Sequence, residues 1–210
     1  MSSANGGPHP RGAGDDTGDE ADMKTGMQPE GPTGLLVLEP RRFVDERGYF
    51  EEIWNRDGFR RGGIDVDFVQ DNCSMSAAPG TLRGLHFQTP PHAQDKLVRC
   101  VLGAIFDVAV DIRRGSPTYG RWTGVELTQD NGRQIFVPKG FLHGFVTLVP
   151  NTLVLYKCSD GYAPECDRGV RWDSLDISWP LDTAPILSAK DAGAPSFADF
   201  ESPFVFGENA

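Results

Sequence analysis

Residues 80–96, GTLRGLHFQTPPHAQDK, gather a histidine at 86, two cations and several turn formers into one segment between two apolar runs. Gly80 is followed after five residues by His86, and Gln88 stands two positions further on. Residues two positions apart on a strand point to the same face, so a second histidine at 88 would complete half of a metal site. Gln88 is an amide instead. Lys96, six residues before Gly103, occupies the place where a carboxylate ligand would be needed, and an ammonium cannot ligate a cation. First-row metals held by His, His and Glu would therefore find His, Gln and Lys here. The spacing of a metal site is thus present while its ligands are not.

The spacing around these residues resembles the cupin signature. Gly80-x5-His86 matches its first half, and Gly132-x5-Pro138-x-Gly140-x2-His143 matches its second, with Thr147 where asparagine is usual. From Leu35 onward the chain reads as short strands separated by turn signals, with little helical periodicity. Strands are predicted at 35–38, 49–54, 68–77, 97–102, 104–112, 125–128, 134–137, 144–148 and 152–159. In 104–112, Ile105, Asp107, Ala109 and Asp111 alternate with Phe106, Val108, Val110 and Ile112, giving one face with carboxylates and one aliphatic face. Asn131-Gly132 predicts a type I′ hairpin joining 125–128 to 134–137. Short helices are expected at 56–61 and within 188–200, where Ser188 followed by Asp191 resembles an N-cap. The fold class is all-β: a cupin-type double-stranded β-helix, or jelly roll, with short peripheral helices and an open ligand mouth.

The 210 residues carry a net charge of −10. Residues 1–34 lack Val, Ile, Leu, Phe, Trp, Tyr and Cys. They hold two basic and six acidic residues, so four of the net negative charges belong to this segment. It is predicted to be a disordered acidic Gly/Pro-rich tail ahead of a single domain at 35–210. The acidic balance argues against a nucleic-acid partner, and no apolar run approaches the length of a membrane span. Cys73, Cys100, Cys158 and Cys166 show no C-x-x-C spacing and read as reduced core residues of a cytoplasmic protein.

The motifs FVDERGYFEE (43–52), QDNCSMS (70–76), LRGLHFQ (82–88), KLVRCVLGAIFDVAVDIRRGSPTYGRW (96–122), VPKGFLHGF (137–145), LVLYKCSDGYAPE (153–165) and LSAKD (187–191) closely resemble the dTDP-4-dehydrorhamnose 3,5-epimerase family and its antibiotic-sugar relatives. The resemblance spans about residues 35–200. It implies a cofactor-free, metal-free epimerase acting on a dTDP-4-keto-6-deoxyhexose, with the C4 ketone acidifying the hydrogens on C3 and C5. By this resemblance His86 is the general base, Tyr156 the acid on the opposite face, and Lys96 the cation at the enolate oxygen. Asp191 is the carboxylate that orients His86, with Asp107 and Asp111 as competitors. Arg83 and Arg47 match diphosphate contacts. Glu52, Gln70 and Asn72 match polar binding positions, Phe43 or Tyr49 would wall in the thymine, and His143 would line the pocket. The resemblance further implies a homodimer in which exchanged N-terminal strands carry Arg47 and Glu52 into the neighbouring site. His92 and His9 are not expected to be catalytic. Asp95 stands where relatives often have a small residue, and Asp167 where many carry glutamate. A mono-epimerase inverting C3 or C5 alone is the nearest alternative. A non-catalytic sugar-nucleotide-binding cupin is a further one, which joint retention of His86, Lys96 and Tyr156 disfavours.

Overall fold

A computed structural model describes residues 27–29, 31–32 and 34–208. Thirteen strands are described: β1 (Met27–Pro29), β2 (Leu36–Leu38), β3 (Arg42–Asp45), β4 (Gly48–Glu51), β5 (Gln70–Ser76), β6 (Leu82–Gln88), β7 (Lys96–Leu102), β8 (Ala104–Asp111), β9 (Trp122–Thr128), β10 (Gln134–Val137), β11 (Phe141–Thr147), β12 (Thr152–Cys158) and β13 (Asp167–Gly169). A six-stranded sheet has the order β1-β2-β10-β7-β12-β5, a five-stranded sheet the order β13-β6-β11-β8-β9, and β3 pairs with β4 alone. All the ladders are antiparallel. The expected jelly roll is what these two facing sheets form. The predicted tail boundary at 34 falls within this architecture, because β1 already pairs with β2; residues 1–26 lie outside the described residues.

Alternation on the strands decides which side chains enter the space between the sheets. Val98 and Cys100 of β7, Ile105 and Ala109 of β8, Ile135 and Val137 of β10, Phe141 and Phe145 of β11 and Val154 of β12 form that inner core. The opposite face of β8 is buried too: Val108 and Val110, with Ile112 just beyond the strand, pack with Leu85 and Phe87 of β6 under the C-terminal segment, through Ile177, Trp179, Phe200 and Phe204. Both faces of β8 are thus covered, and its carboxylate face points inward. The outer face of the six-stranded sheet is covered by helix α1 (Arg56–Arg61) and its flanks, where Phe59, Ile64, Trp54 and Phe68 meet Leu97 and Phe136. Asn55 caps α1 by accepting from the Gly58 N–H at 2.9 Å. The second helix, α2 (Ala189–Ala192), has Ser188 as its N-cap.

Two expectations need correction. The Asn131-Gly132 turn does not make a hairpin, since β9 pairs with β8 in one sheet while β10 pairs with β2 and β7 in the other. Gly132 has φ of +63°, but Asn131 is not among the positive-φ residues, so the turn is not type I′. The Asn131 side chain builds the crossing instead, with its Oδ1 accepting from Thr128 N–H at 3.0 Å and Arg133 N–H at 2.9 Å. Cys100, Cys158 and Cys166 are buried, whereas Cys73 is exposed on the edge strand β5; all four are free thiols. No helix among the described residues is long and apolar enough to cross a membrane.

Candidate active site

The first local determinant of the site is a bulge in β6. His143 of β11 faces His86 and Phe145 faces Arg83, so a two-residue step on β11 matches a three-residue step on β6. In a regular strand Arg83 and His86 would point to opposite faces; the extra residue brings them to the same one. Gly84 makes this possible. Its φ is +134°, and a Cβ there would lie 2.6 Å from the Cα of Gly144. Gly144 is the complementary thin spot, since its own Cβ would meet the Arg83 carbonyl oxygen at 2.8 Å.

Arg83 and His86 open into a cavity of about 640 Å³ between the sheets, within the range of small-molecule sites. His86 and His143 line it from the five-stranded sheet, Lys96 and Tyr156 from the six-stranded sheet, and Ser188, Lys190 and Asp191 close one side. Cys73, Ser74 and Met75 supply the β5 wall. Lys96 and Tyr156 share the inner face because Tyr156 pairs with Val98, an inner-core residue two positions along from Lys96. Three cations, Arg83, Lys96 and Lys190, face a cavity whose one acidic lining residue is Asp191. An acidic chain therefore carries a locally positive pocket fit for an anion.

Of the three carboxylates weighed for His86, Asp191 is the one that reaches it. His86 Nε2 lies 2.5 Å from Asp191 Oδ1, across 105 residues of sequence. His86 is part-exposed to the cavity, with a side-chain exposure of 31 % against 5 % for Asp191. Burial alone would raise the Asp191 pKa, but hydrogen bonding and charge from His86, with smaller contributions from the nearby Ser188 side chain and Gly84 backbone, hold it below the ordinary 3.8. Asp107 belongs to His143 instead, both of its oxygens lying 3.0 Å from His143 Nε2. Asp111 is spent on a turn, binding Arg113, Ser116 and Thr118. The alternation of β8 placed Asp107 and Asp111 on one face and could not separate these roles.

Burial pushes the Lys96 ammonium below its usual pKa of 10.5, opposed by Cys158, Asp107 and Asp167 and reinforced by Lys190. The Lys96 ammonium makes no ion pair or hydrogen bond among the described residues, so its charge is open to a ligand. Burial pushes the Tyr156 phenol above 10.0, with Cys158 and Asp167 adding to the rise and Arg83 opposing it. Arg83 sits at the rim, its Nε donating to Ser76 Oγ at 3.2 Å and its Nη2 to the Met75 carbonyl at 3.1 Å.

The remaining predicted positions fall outside this cavity. Gln70 and Asn72 lie on β5, with Gln70 Nε2 donating to Asn72 Oδ1 at 3.0 Å. Asn72 lines a smaller cavity of about 130 Å³ with Arg99 and Lys157. Phe43 and Tyr49 lie on the β3–β4 hairpin, 49 % and 54 % exposed, and Phe50 beside them is 70 % exposed. Arg47, between these strands, pairs with Asp45, and Glu52 accepts from Asn55 Nδ2 at 3.0 Å. The base of the hairpin is fixed by Glu51, which takes ion pairs from Arg42 and the buried Arg99. None of these hairpin residues lines the chain's own cavity.

Sequence reasoning missed Lys190 as a cavity residue and read Ser188 only as an N-cap. Lys190 lines the cavity and is ion-paired to Asp167, which also accepts from Tyr162 Oη at 3.0 Å. The only signal for Lys190 was adjacency to Asp191 in LSAKD. Asp95 stays out of the cavity, binding Ser159 and the Lys139 N–H. Gln88 is also structural: its amide donates to the carbonyls of His92 at 2.7 Å and Gly161 at 3.0 Å and accepts from Ala163 N–H at 2.8 Å. Among the described residues no group of three or more His, Cys, Asp or Glu side chains is placed to hold a metal ion.

This arrangement, a paired imidazole facing a phenol with an unpaired ammonium alongside, can shuttle protons at carbon next to a polarised carbonyl. The sequence profile of the dTDP-4-dehydrorhamnose 3,5-epimerase family matches residues 32–199. A dTDP-4-dehydrorhamnose 3,5-epimerase from Sinorhizobium fredii is 51 % identical over 174 residues, which cover 82 % of this chain and 89 % of the relative. The crystal structure of dTDP-6-deoxy-D-glucose-3,5-epimerase from Legionella pneumophila, in complex with dTDP-4-keto-L-rhamnose, is 45 % identical with a TM-score of 0.76, covering 80 % of this chain and 89 % of that one. A 3′-monoepimerase from Streptomyces bikiniensis in complex with dTDP-quinovose is 36 % identical with a TM-score of 0.77, covering 82 % and 88 %. With the profile matched over most of its length and half of the aligned residues identical to such an enzyme, the chain belongs to the dTDP-4-dehydrorhamnose 3,5-epimerase family and is a dTDP-sugar epimerase.

Proposed function

We propose that the chain inverts C3 and C5 of a dTDP-4-keto-6-deoxyhexose, with His86 as base and Tyr156 as acid. The observation that carries this reading is that His86 and Tyr156 enter one cavity from facing sheets, so a sugar ring between them would meet the base on one face and the acid on the other. With the Nε2 proton donated to Asp191, Nδ1 of His86 keeps a free lone pair. That nitrogen takes the proton from the carbon beside the ketone. The C–H electron pair becomes the enolate π bond, and the negative charge moves to the C4 oxygen, where Lys96 stabilises it. Tyr156 then delivers its proton to the opposite face and the carbonyl reforms. The charges left on His86 and Tyr156 are cancelled by proton exchange with solvent, so the step is an isomerisation with no net redox change.

Arg83 at the rim is the proposed diphosphate contact, where a planar guanidinium can donate two hydrogen bonds. The β3–β4 hairpin, exposed and turned away from its own cavity, supports a homodimer in which Arg47, Glu52 and an aromatic of Phe43 or Tyr49 complete the nucleotide site of a second copy, beside Gln70 and Asn72. Inversion at both centres is favoured over a single one because the relatives near 50 % identity are double epimerases, whereas the mono-epimerase stands at 36 %. The test is His86→Ala. Solvent exchange into the substrate should vanish while dTDP affinity is retained, and persisting exchange would remove His86 from the mechanism.

A further inference from the structure

We propose that Asp95 is a positioning residue for Lys96, clamping the first residue of β7 so that its ammonium stays in the cavity wall. The proposal rests on the reading of Lys96 as the cation at the enolate oxygen. Lys96 begins the strand, and its ammonium has no hydrogen-bond or ion-pair partner among the described residues. Nothing at the far end of the side chain fixes it, and an ammonium without a counter-charge is drawn towards water. Its place therefore depends on the backbone from which it projects. Strand ends are where ladders open most readily. Lys96 is the terminal residue of two ladders, paired with Val137 of β10 on one side and Cys158 of β12 on the other.

Asp95, the residue just before it, closes both. Continuing the β12 register places Asp95 opposite Ser159. A hydrogen-bonded antiparallel pair exchanges two N–H to carbonyl bonds. Here Ser159 N–H donates to the Asp95 carbonyl oxygen at 3.0 Å, but the Asp95 N–H goes to Ser159 Oγ at 2.8 Å. The Ser159 hydroxyl in turn donates to Asp95 Oδ2 at 2.9 Å, so the two residues share three bonds. Continuing the β10 register places Lys139 opposite Gln94, yet the Lys139 N–H donates to Asp95 Oδ1 at 3.0 Å. Each carboxylate oxygen thus ties down the continuation of one neighbouring strand, and Asp95 itself does not line the cavity. The strands joined in this way are β7 and β12, which bring Lys96 and Tyr156 to one inner face, and the turn that leads from β10 into β11.

The experiment is a double-mutant cycle in the full-length enzyme between Asp95→Ala and Lys96→Met, followed by deuterium uptake from heavy water at saturating substrate. Asp95→Ala should lower kcat about ten- to a hundredfold, the effect of a displaced catalytic group. KM should change little, because Arg83 is untouched. Asp95→Asn should stay within about threefold of the parent, since its amide can accept from the Lys139 N–H and donate to Ser159 Oγ. An Asn variant as slow as Ala would show that charge and not the clamp is used, and would overturn the proposal. Ser159→Ala gives a second route that keeps the carboxylate: kcat should again fall, and the parent kcat would count against the clamp. If Asp95 acts through Lys96, adding Asp95→Ala to Lys96→Met should cost no more than about a further twofold. The full loss repeated in that background would make Asp95 a general structural residue, overturning its positioning role while leaving Lys96 in the mechanism. Lys96→Met at the parent rate would remove Lys96 from the mechanism and this proposal with it. Amide hydrogen exchange in the ligand-free protein tests the clamp apart from catalysis. Exchange at the Lys96 N–H should quicken in Asp95→Ala and not in Asp95→Asn, and an unchanged rate in Asp95→Ala refutes the clamp.

Discussion

Replacing Gly84 by alanine should cost far more than replacing a glycine of similar backbone geometry elsewhere. Two terms add at Gly84. A side chain at φ of +134° carries a backbone penalty of about 1–3 kcal/mol. The new Cβ would also stand 2.6 Å from the Gly144 Cα and 3.0 Å from the His143 carbonyl oxygen. Both are backbone atoms of a central strand that cannot swing aside, and forced repacking of this kind costs about 1–3 kcal/mol. Gly63 is the control: its φ is +97°, but a Cβ there would meet nothing within 4 Å. Gly63→Ala should lose the backbone term alone, and Gly84→Ala about 2–6 kcal/mol in all, from a total that is typically about 5–15 kcal/mol. At about 2–4 °C per kcal/mol for a domain of this size, the Gly84 variant should melt roughly 10 °C below the parent. Urea unfolding of the three proteins side by side supplies the comparison. If Gly84→Ala were no less stable than Gly63→Ala, the tight approach of β6 to β11, and with it the bulge that aligns Arg83 with His86, would be wrong.

The basic limb of the kcat/KM profile should belong to Lys96, because burial lowers its pKa from 10.5 while raising that of Tyr156 from 10.0; Lys96→Arg should move the limb upward, and Tyr156 would be implicated if it stayed. The same shift has a stability consequence. The unfolded chain binds the Lys96 proton more tightly than the folded one, so its contribution destabilises the fold below the lowered pKa, and this cost fades as pH rises towards 10.5. Arg83→Ala should weaken dTDP binding about tenfold with kcat nearly intact, measured by calorimetry, since its guanidinium is exposed enough for water to screen part of a charged hydrogen bond; unchanged affinity would count against the diphosphate assignment. Phe50→Asp, at a side chain 70 % exposed, should shift sedimentation from dimer to monomer and reduce activity; a fully active monomer would refute the shared site.

Much of this was readable from residue spacing because a jelly roll repeats its geometry. The half-motifs around His86 and His143 fixed two strands that turn out to pair directly, with His86 opposite His143. Alternation placed Tyr156 with Val154 and Cys158, and the latter two are buried on the inner side of β12. Pairing partners were harder. Asn131-Gly132 reports a sharp turn, but a turn does not specify whether the chain returns beside its own strand or crosses to the other sheet. Strand 144–148 was begun three residues late, since Gly140 reads as a break while β11 starts directly after it at Phe141. The His86–Asp191 contact depends on a C-terminal segment packing over the five-stranded sheet through aromatic residues, and nothing local to either residue encodes it. The joint use of Arg83 and His86 needs the bulge, which a period of two conceals. The roles read for the hairpin aromatics require a second copy, so one chain's sequence periodicity could mark them only as exposed.

The most direct measurement is epimerisation in heavy water followed by NMR of the sugar, with the parent enzyme and Tyr156→Phe in parallel. The parent should place deuterium at both C3 and C5, because each inverted carbon loses its own hydrogen and takes one from solvent. Tyr156→Phe should leave His86 able to remove a proton and return it on the same side, giving deuterium exchange with little inversion. Label confined to one carbon would make the enzyme a mono-epimerase. Inversion at the parent rate in Tyr156→Phe would contradict the two-face mechanism, leaving Tyr156 as a packing residue of β12.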